Sequence, residues 1–141
     1  MAGKGASNIY CWEMESDDLK IHLASSDKGA LRVGVSLDKS GDCVTHFKNI
    51  FPPKGMIKDK SRNRLLFESV EAALNNRHDR NRLPLDIQGT LFQTRVWRSI
   101  RRIPFGQTRT YGEVASMVGI PGGSRAVGQA LGRNPLPLIF P

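Results

Sequence analysis

Along the first half of the chain, hydrophobic and polar positions alternate with a period of two. Leu19-Lys20-Ile21-His22-Leu23 predicts a half-buried strand. Residues 30–37 predict another, with Leu31, Val33, Val35 and Leu37 on one face. Between them, Ser25-Ser26-Asp27-Lys28-Gly29 is a turn, and Asp38-Lys39-Ser40-Gly41-Asp42 is a second. Cys43-Val44-Thr45-His46-Phe47 then predicts a third short strand, and the three together an antiparallel meander. Residues 1–18 are polar and mixed and predict a lead-in without regular structure. Phe51-Pro52-Pro53-Lys54-Gly55 breaks the pattern. From Ser61 the period lengthens. Leu65, Leu66, Ser69, Val70, Ala73 and Leu74 share one helical face, with Ser61 as the expected N-cap. Residues 75–82 form a polar, basic loop. Leu83-Pro84-Leu85-Asp86-Ile87 predicts an edge segment, because proline is confined to sheet edges. Gln88-Gly89-Thr90 is the expected domain boundary.

The second half reads as helical. Phe92, Val96, Ile100 and Ile103 form one apolar stripe flanked by Arg95, Arg98, Arg101 and Arg102. Thr110-Tyr111-Gly112-Glu113 is a capping box that opens a short helix, which Gly119 stops. After the turn Ile120-Pro121-Gly122-Gly123, Ser124 is the expected cap of a third helix reaching about Arg133. Helix, tight turn and helix make a helix-turn-helix in outline. The third helix is unusual in carrying small residues four apart, Ala126 with Ala130 and Gly128 with Gly132. Each glycine costs a helix about 1 kcal/mol against alanine. Something therefore comes close to this backbone, either a packed neighbouring helix or a nucleic-acid groove.

Charge sharpens the picture. The chain has 141 residues and a formal net charge of +8. Residues 1–60 hold nine Lys/Arg against eight acids. Residues 61–141 hold twelve Arg, no Lys and five acids, and from Leu91 onward seven Arg face the single acid Glu113. That is the footprint of a polyanion-binding surface, and Arg favours planar, bidentate contact with phosphates. No apolar run approaches the roughly 18 residues of a membrane span, and residues 1–4 lead into no apolar stretch. Two cysteines cannot make a disulfide framework. The expectation is an intracellular, monomeric protein that is not secreted and does not engage membranes.

A run of motifs now stands together: Phe92-Gln93-x-x-Val96-Trp97, Ile103-Pro104-x-Gly106-x-Thr108-x-Thr110-Tyr111-Gly112-Glu113-Val114-Ala115, Pro121, Arg125-Ala126-Val127-Gly128-x-Ala130 and Asn134-Pro135-x-Pro137. They resemble the O6-alkylguanine-DNA alkyltransferases, densely over residues 83–141 and loosely over 1–82. The resemblance implies an α+β protein. Residues 1–86 would be a scaffolding domain with a small antiparallel sheet and a helix. Residues 87–141 would be a mostly helical, winged-helix-like helix-turn-helix domain, incomplete at its C-terminus.

The resemblance further implies DNA repair by direct reversal. The helix-turn-helix enters the minor groove of double-stranded DNA, the O6-alkylguanine is flipped out, and its alkyl group passes once to a protein cysteine. Arg125 would fill the vacated stack. Tyr111 would lie near the flipped nucleotide's phosphate and assist proton delivery. Ser124, Ala126, Gly128 and Thr110 would contact DNA. Asn134 would be a hinge, and Pro137 and Leu131 pocket-wall positions. The implied compartment is the nucleus in a eukaryote and the cytoplasm in a prokaryote. No organic cofactor is implied.

The family's acceptor lies in a Pro-Cys-His-Arg segment. Pro141 matches its proline, so the acceptor would be the next residue, and Cys11 and Cys43 lie outside the motif. The expectation is a truncated form unable to take up an alkyl group itself, its apolar residues 136–141 reading as a strand cut short. The alternative is a non-catalytic, alkyltransferase-like binder of DNA and alkylated bases. Cys11, His22, Cys43, His46 and His78 include zinc-ligand types, with Cys43-x-x-His46 at usable spacing. The plainer reading is two small buried cysteines and surface histidines, and no metal is assigned.

Overall fold

The computed structural model describes residues 8–52, 54–77, 83–104 and 106–140; His78 and Pro141, singled out above, lie outside them. The chain divides into two compact units, Met1–Ile87 and Gln88–Pro141. No helix of the described residues is long and apolar enough to cross a membrane.

The first unit is built on four strands, β1 (Ile9–Ser16), β2 (Leu19–Ser26), β3 (Gly29–Ser36) and β4 (Met56–Lys58), in the order β3-β2-β1-β4. β1, β2 and β3 pair antiparallel, whereas β4 runs parallel to β1, so the sheet is mixed rather than a pure meander. β1 occupies part of what reads in the sequence as an irregular lead-in. Its strand character comes from Tyr10, Trp12 and Met14 alternating with Cys11 and Glu13, a short period-two run set between the polar stretches on either side of it.

Cys43–Phe47, expected as a strand, is helix α1. The Asp42 carboxylate accepts the backbone N–H of Thr45 at 2.9 Å, and this cap decides a five-residue run whose apolar pattern suits either conformation. α1 then lays Cys43 and Phe47 against Cys11, Ala24 and Leu31. Through His46 it also covers His22 of β2, and with Asn63 bonded to Ser25, Ile21, His22, Leu23, Ala24 and Ser25 are all buried. At the other end of β3, Val35 and Leu37 are exposed and only Leu31 and Val33 join the core. Leu85 makes a parallel bridge to Ala30, the edge segment expected from Pro84.

Helix α2 (Arg64–Leu74) follows a 3-10 turn at Ser61–Asn63. Ser61 is not its cap, since the chain enters the helix through that turn. The buried Asn63 instead anchors this corner, accepting from Ser25 Oγ (2.8 Å) and donating to the carbonyl of Tyr10 (3.1 Å).

His22 is a core residue rather than a surface one. Its ring stacks on His46 at 4.1 Å between centroids, and its Nδ1 has no hydrogen-bond partner among the described residues. Burial, reinforced by the neighbouring His46, pushes the His22 imidazole from its usual 6.5 down to about 4. The unfolded chain therefore takes up this proton more readily than the folded one. Stability is level above the ordinary histidine range and is lost as pH falls from about 6.5 toward 4. Urea denaturation should show a loss of roughly 2–3 kcal/mol between about pH 7.5 and 4.5. The variant His22→Gln should lose most of that dependence. A curve flat across the interval in the unaltered chain would contradict the assignment.

Candidate nucleic-acid interface

The second unit holds helices α3 (Leu91–Arg101), α4 (Tyr111–Met117) and α5 (Ser124–Gly132). Two complete capping boxes set the starts of the first two. In the box at α3, Gln93 N–H donates to Thr90 Oγ1 (3.1 Å) and Thr90 N–H returns a bond to Gln93 Oε1 (2.9 Å). At α4 the pair is Glu113 N–H to Thr110 Oγ1 (3.0 Å) and Thr110 N–H to Glu113 Oε1 (2.8 Å). The N–H that Thr110 donates holds the Glu113 carboxyl below its ordinary range, so the unit's one acid is committed to a helix end.

The turn between α4 and α5 is closed by a Schellman arrangement. Ile120 N–H bonds Ala115 O at 2.8 Å and Gly119 N–H bonds Ser116 O at 3.1 Å, with Gly119 at φ +83°, a conformation only glycine adopts without strain. The second helix of the pair starts without a side-chain cap. Ser124 is its first residue, preceded by Gly123, and not the cap expected. Its hydroxyl points instead toward α4, where a Cβ added at Gly112 would lie 3.5 Å from Ser124 Oγ and 3.8 Å from Thr110 Oγ1. The starts of α4 and α5 thus come together.

Buried Val96, Trp97 and Ile100 of α3, Val114 and Ala115 of α4, and Val127 and Ala130 of α5 form the interior of the unit. Trp97 Nε1 donates to the carbonyl of Ala130 at 2.8 Å. With Val127 and Ala130 inward, α5 leaves Ser124, Arg125, Ala126 and Gln129 exposed. The close approach that the small residues foretold is partly internal. A Cβ at Gly128 would sit 3.2 Å from Tyr111 Cε2, so the aromatic ring lies directly over the helix backbone, while nothing among the described residues stands within 4 Å of a Cβ at Gly132. Tyr111 itself is 53% exposed, a ring held at one edge and open to solvent at the other.

Asn134 organises the segment after α5. Its Oδ1 accepts from Leu136 N–H (2.8 Å) and its Nδ2 donates to the carbonyl of Phe140 (2.8 Å), closing residues 134–140 into a loop over buried Leu136 and Phe140. Leu131 and Pro137 are half-buried. Tyr111, Thr110, Ser124 and Gly128 therefore gather at the α4–α5 junction. Arg125 and Ala126 lie on the adjoining exposed turn of α5, and Asn134, Pro137 and Leu131 follow that helix. Thr90, which sequence reasoning placed only in a boundary, is the cap of α3; its signal was Gln93 three residues on.

In the first unit, the zinc candidates split into two pairs. Cys11 and Cys43 face each other with Sγ atoms 2.6 Å apart, both buried and free, and His22 stacks on His46. Among the described residues no three such side chains converge on a point that could hold a metal. Cys43 is pushed to a higher pKa by its hydrogen bond to Cys11 and by burial, while the same bond lowers Cys11.

A family profile described as "6-O-methylguanine DNA methyltransferase, DNA binding domain" matches residues 91–141. A methylated-DNA–protein-cysteine methyltransferase from Mycolicibacterium paratuberculosis is 51% identical over 59 residues, 42% of this chain and 36% of that protein. The bifunctional transcriptional activator/DNA repair enzyme Ada of Escherichia coli is 34% identical over 123 residues, 84% of this chain and 33% of that protein. The chain thus spans roughly a third of the length of these curated relatives. The solved structure of Mycobacterium tuberculosis OGT in complex with DNA superposes with a TM-score of 0.72 at 30% identity, covering 94% of this chain and 74% of that one. The chain belongs to the O6-alkylguanine-DNA alkyltransferase family. A crystal structure of a single-substitution variant of the same M. tuberculosis protein gives a TM-score of 0.74 at 28% identity, covering 94% of this chain and 75% of that one. The α+β architecture is accordingly that of an alkyltransferase, with a sheet unit followed by a helical DNA-binding unit.

Two substitutions separate helix propensity from packing. Gly132→Ala, into open space, should raise thermal stability by up to about 1 kcal/mol. Gly128→Ala should gain less, because the Tyr111 ring must shift. Equal gains at both positions would show that the ring does not rest on Gly128. Asn134→Ala, which removes both bonds that close the loop, should cost about 1–2 kcal/mol in denaturant titrations.

Proposed function

We propose that this chain supplies the DNA-reading part of O6-alkylguanine repair. α5 lies in the minor groove of duplex DNA, and Arg125 replaces the flipped guanine in the stack. The observation that carries this reading is the α4–α5 junction, where Tyr111 packs over Gly128 beside an exposed helix turn of small residues headed by Arg125. Small side chains let the helix backbone approach the floor of a narrow groove. A long planar cation at its start can enter the base stack, as inserted side chains do in minor-groove binders. Flipping carries an unstacking cost, smallest for a damaged base, which gives the site its preference for alkylated guanine.

Ser124 and Thr110 hydroxyls at the junction suit phosphate contact. The Tyr111 hydroxyl, on the open side of its ring, suits the flipped nucleotide and proton delivery to the leaving guanine. The loop clamped by Asn134, with Pro137 and Leu131, suits the wall of the base pocket. The alkyl group leaves O6 for a sulfur nucleophile, forming a C–S bond as the C–O bond breaks, and the guanine takes a proton. That nucleophile must be a thiolate. Neither Cys11 nor Cys43 serves, because both are buried in the sheet unit and engaged with each other.

Fluorescence anisotropy with matched duplexes, one carrying O6-methylguanine and one guanine, tests the reading. The chain should bind the alkylated duplex more tightly, and Arg125→Ala should weaken that binding about tenfold, some 1.4 kcal/mol. Equal affinity of the variant and the unaltered chain for the alkylated duplex would overturn the role of Arg125. Intact mass after incubation with O6-benzylguanine should show no benzyl group on Cys11 or Cys43, and an adduct on either would overturn their exclusion.

A further inference from the structure

α3 presents a second basic surface that the groove helix does not use. Arg95, Arg98 and Arg102 lie at i, i+3 and i+7, within about 60° of one another around the helix. This face is away from the stripe of Val96, Trp97 and Ile100 that packs inward. With Ser99 and with Met117 and Val118 from the end of α4, they line a cleft of about 310 Å³. All three arginines are exposed. Among the described residues no ion pair involves any of them. Their own unit cannot neutralise them with a side chain, since its one acid, Glu113, caps α4.

The cleft is also distinct from the α4–α5 junction. Tyr111 opens α4 and Met117 closes it, six residues and about 9 Å of helix rise apart. Three guanidinium groups without a counter-charge around one cleft call for an anionic occupant. Arg95 to Arg102 covers about 10.5 Å of rise, and long side chains let the three guanidinium groups reach separate phosphates of a backbone. The planar guanidinium fork fits phosphate oxygens bidentately. Met117 and Val118 give the aliphatic stems of the arginines an apolar floor.

We propose that the Arg95–Arg98–Arg102 cleft is a second DNA-backbone site, which engages phosphates apart from those at α5. It rests on the DNA-binding reading of the unit and adds to it a separate surface, so that the protein holds DNA through two faces. The contact is electrostatic and sequence-independent, and a short acidic peptide is the competing occupant.

The test is anisotropy of the 141-residue chain with a short undamaged DNA duplex between about 50 and 200 mM salt. The unaltered chain is compared with the triple variant R95Q/R98Q/R102Q, with R95K/R98K/R102K, and with Arg125→Ala. Three lost phosphate contacts lower the slope of log K against log salt by about 2.7. The Gln variant should then lose roughly 40-fold less affinity across that salt range than the unaltered chain. The Lys variant should keep the slope, and Arg125→Ala should change it by no more than about one. All of these positions are exposed, so melting temperatures should match and report intact folding.

A Gln variant with the unaltered slope overturns the cleft. Tighter binding of an oligo-glutamate peptide than of DNA, lost in the Gln variant, overturns the nucleic-acid assignment. If Arg125→Ala binds the O6-methylguanine duplex unchanged while the Gln variant loses its slope, the groove reading fails and the cleft stands. If the unaltered chain binds neither duplex, both fail.

Discussion

The indole N–H of Trp97 is the bond on which the DNA-binding unit turns. A buried indole nitrogen must find an acceptor, and the last carbonyls of a helix have no partner within it. Here Trp97 donates to the carbonyl of Ala130 near the end of α5 at 2.8 Å, on the lone pair left free by the Arg133 N–H that the same oxygen accepts at 3.2 Å. α5 is therefore fixed along its axis as well as pressed against its neighbours. Its inward face is spent on Val127 and Ala130, and what remains outside is the turn of Arg125 and Ala126. Replacing the indole by a ring without a donor would leave apolar packing in place but remove the bond that fixes α5 along its axis.

The rest of the unit sharpens that placement through helix ends. Two capping boxes start α3 and α4, a Schellman turn stops α4, and Asn134 closes the loop after α5. Each device satisfies backbone groups that would otherwise need water, and each stands at a boundary rather than mid-element. The consequence is electrostatic. The unit's one carboxylate is consumed by a cap, so its seven arginines leave it strongly cationic. Such a surface is costly to leave bare at low salt and is relieved by a polyanion.

Much of this unit was legible in the sequence because its signals are local. Thr110 and Glu113 are three residues apart, Gly119 stands where a left-handed residue is needed, and the stripe of Phe92, Val96 and Ile100 repeats at helical spacing. The expectation for Ser124 failed for a local reason too. A serine before a helix is a good cap, yet Gly123 already occupies that position, and the hydroxyl faces Gly112 across the junction. In the sheet unit the signals are not local. α1 was hidden because Cys43 to Phe47 suits strand or helix, and one bond from Asp42 decides between them. β1 was hidden because its parallel partner β4 lies 47 residues on, Ile9 pairing with Met56, and its short alternation sits between polar stretches. His22 read as a surface position because nothing in its own strand announces the helix that covers it.

The roles of the small residues in α5 show how packing and function divide a single pattern. Gly128 answers to the Tyr111 ring, an internal requirement that fixes an aromatic at the junction without help from any ligand. Gly132 meets nothing within 4 Å, and Ala126 is exposed, so no neighbour among the described residues of the unit explains why larger side chains are absent there. Of the two, only Gly132 costs helix propensity, since alanine is the best helix former, and Gly132 is the last residue of α5. The sequence pattern alone could not separate these two causes, since both space small residues four apart. The position of one tyrosine ring separates them, assigning Gly128 to the fold, while Gly132 stands open and Ala126 exposed among the described residues.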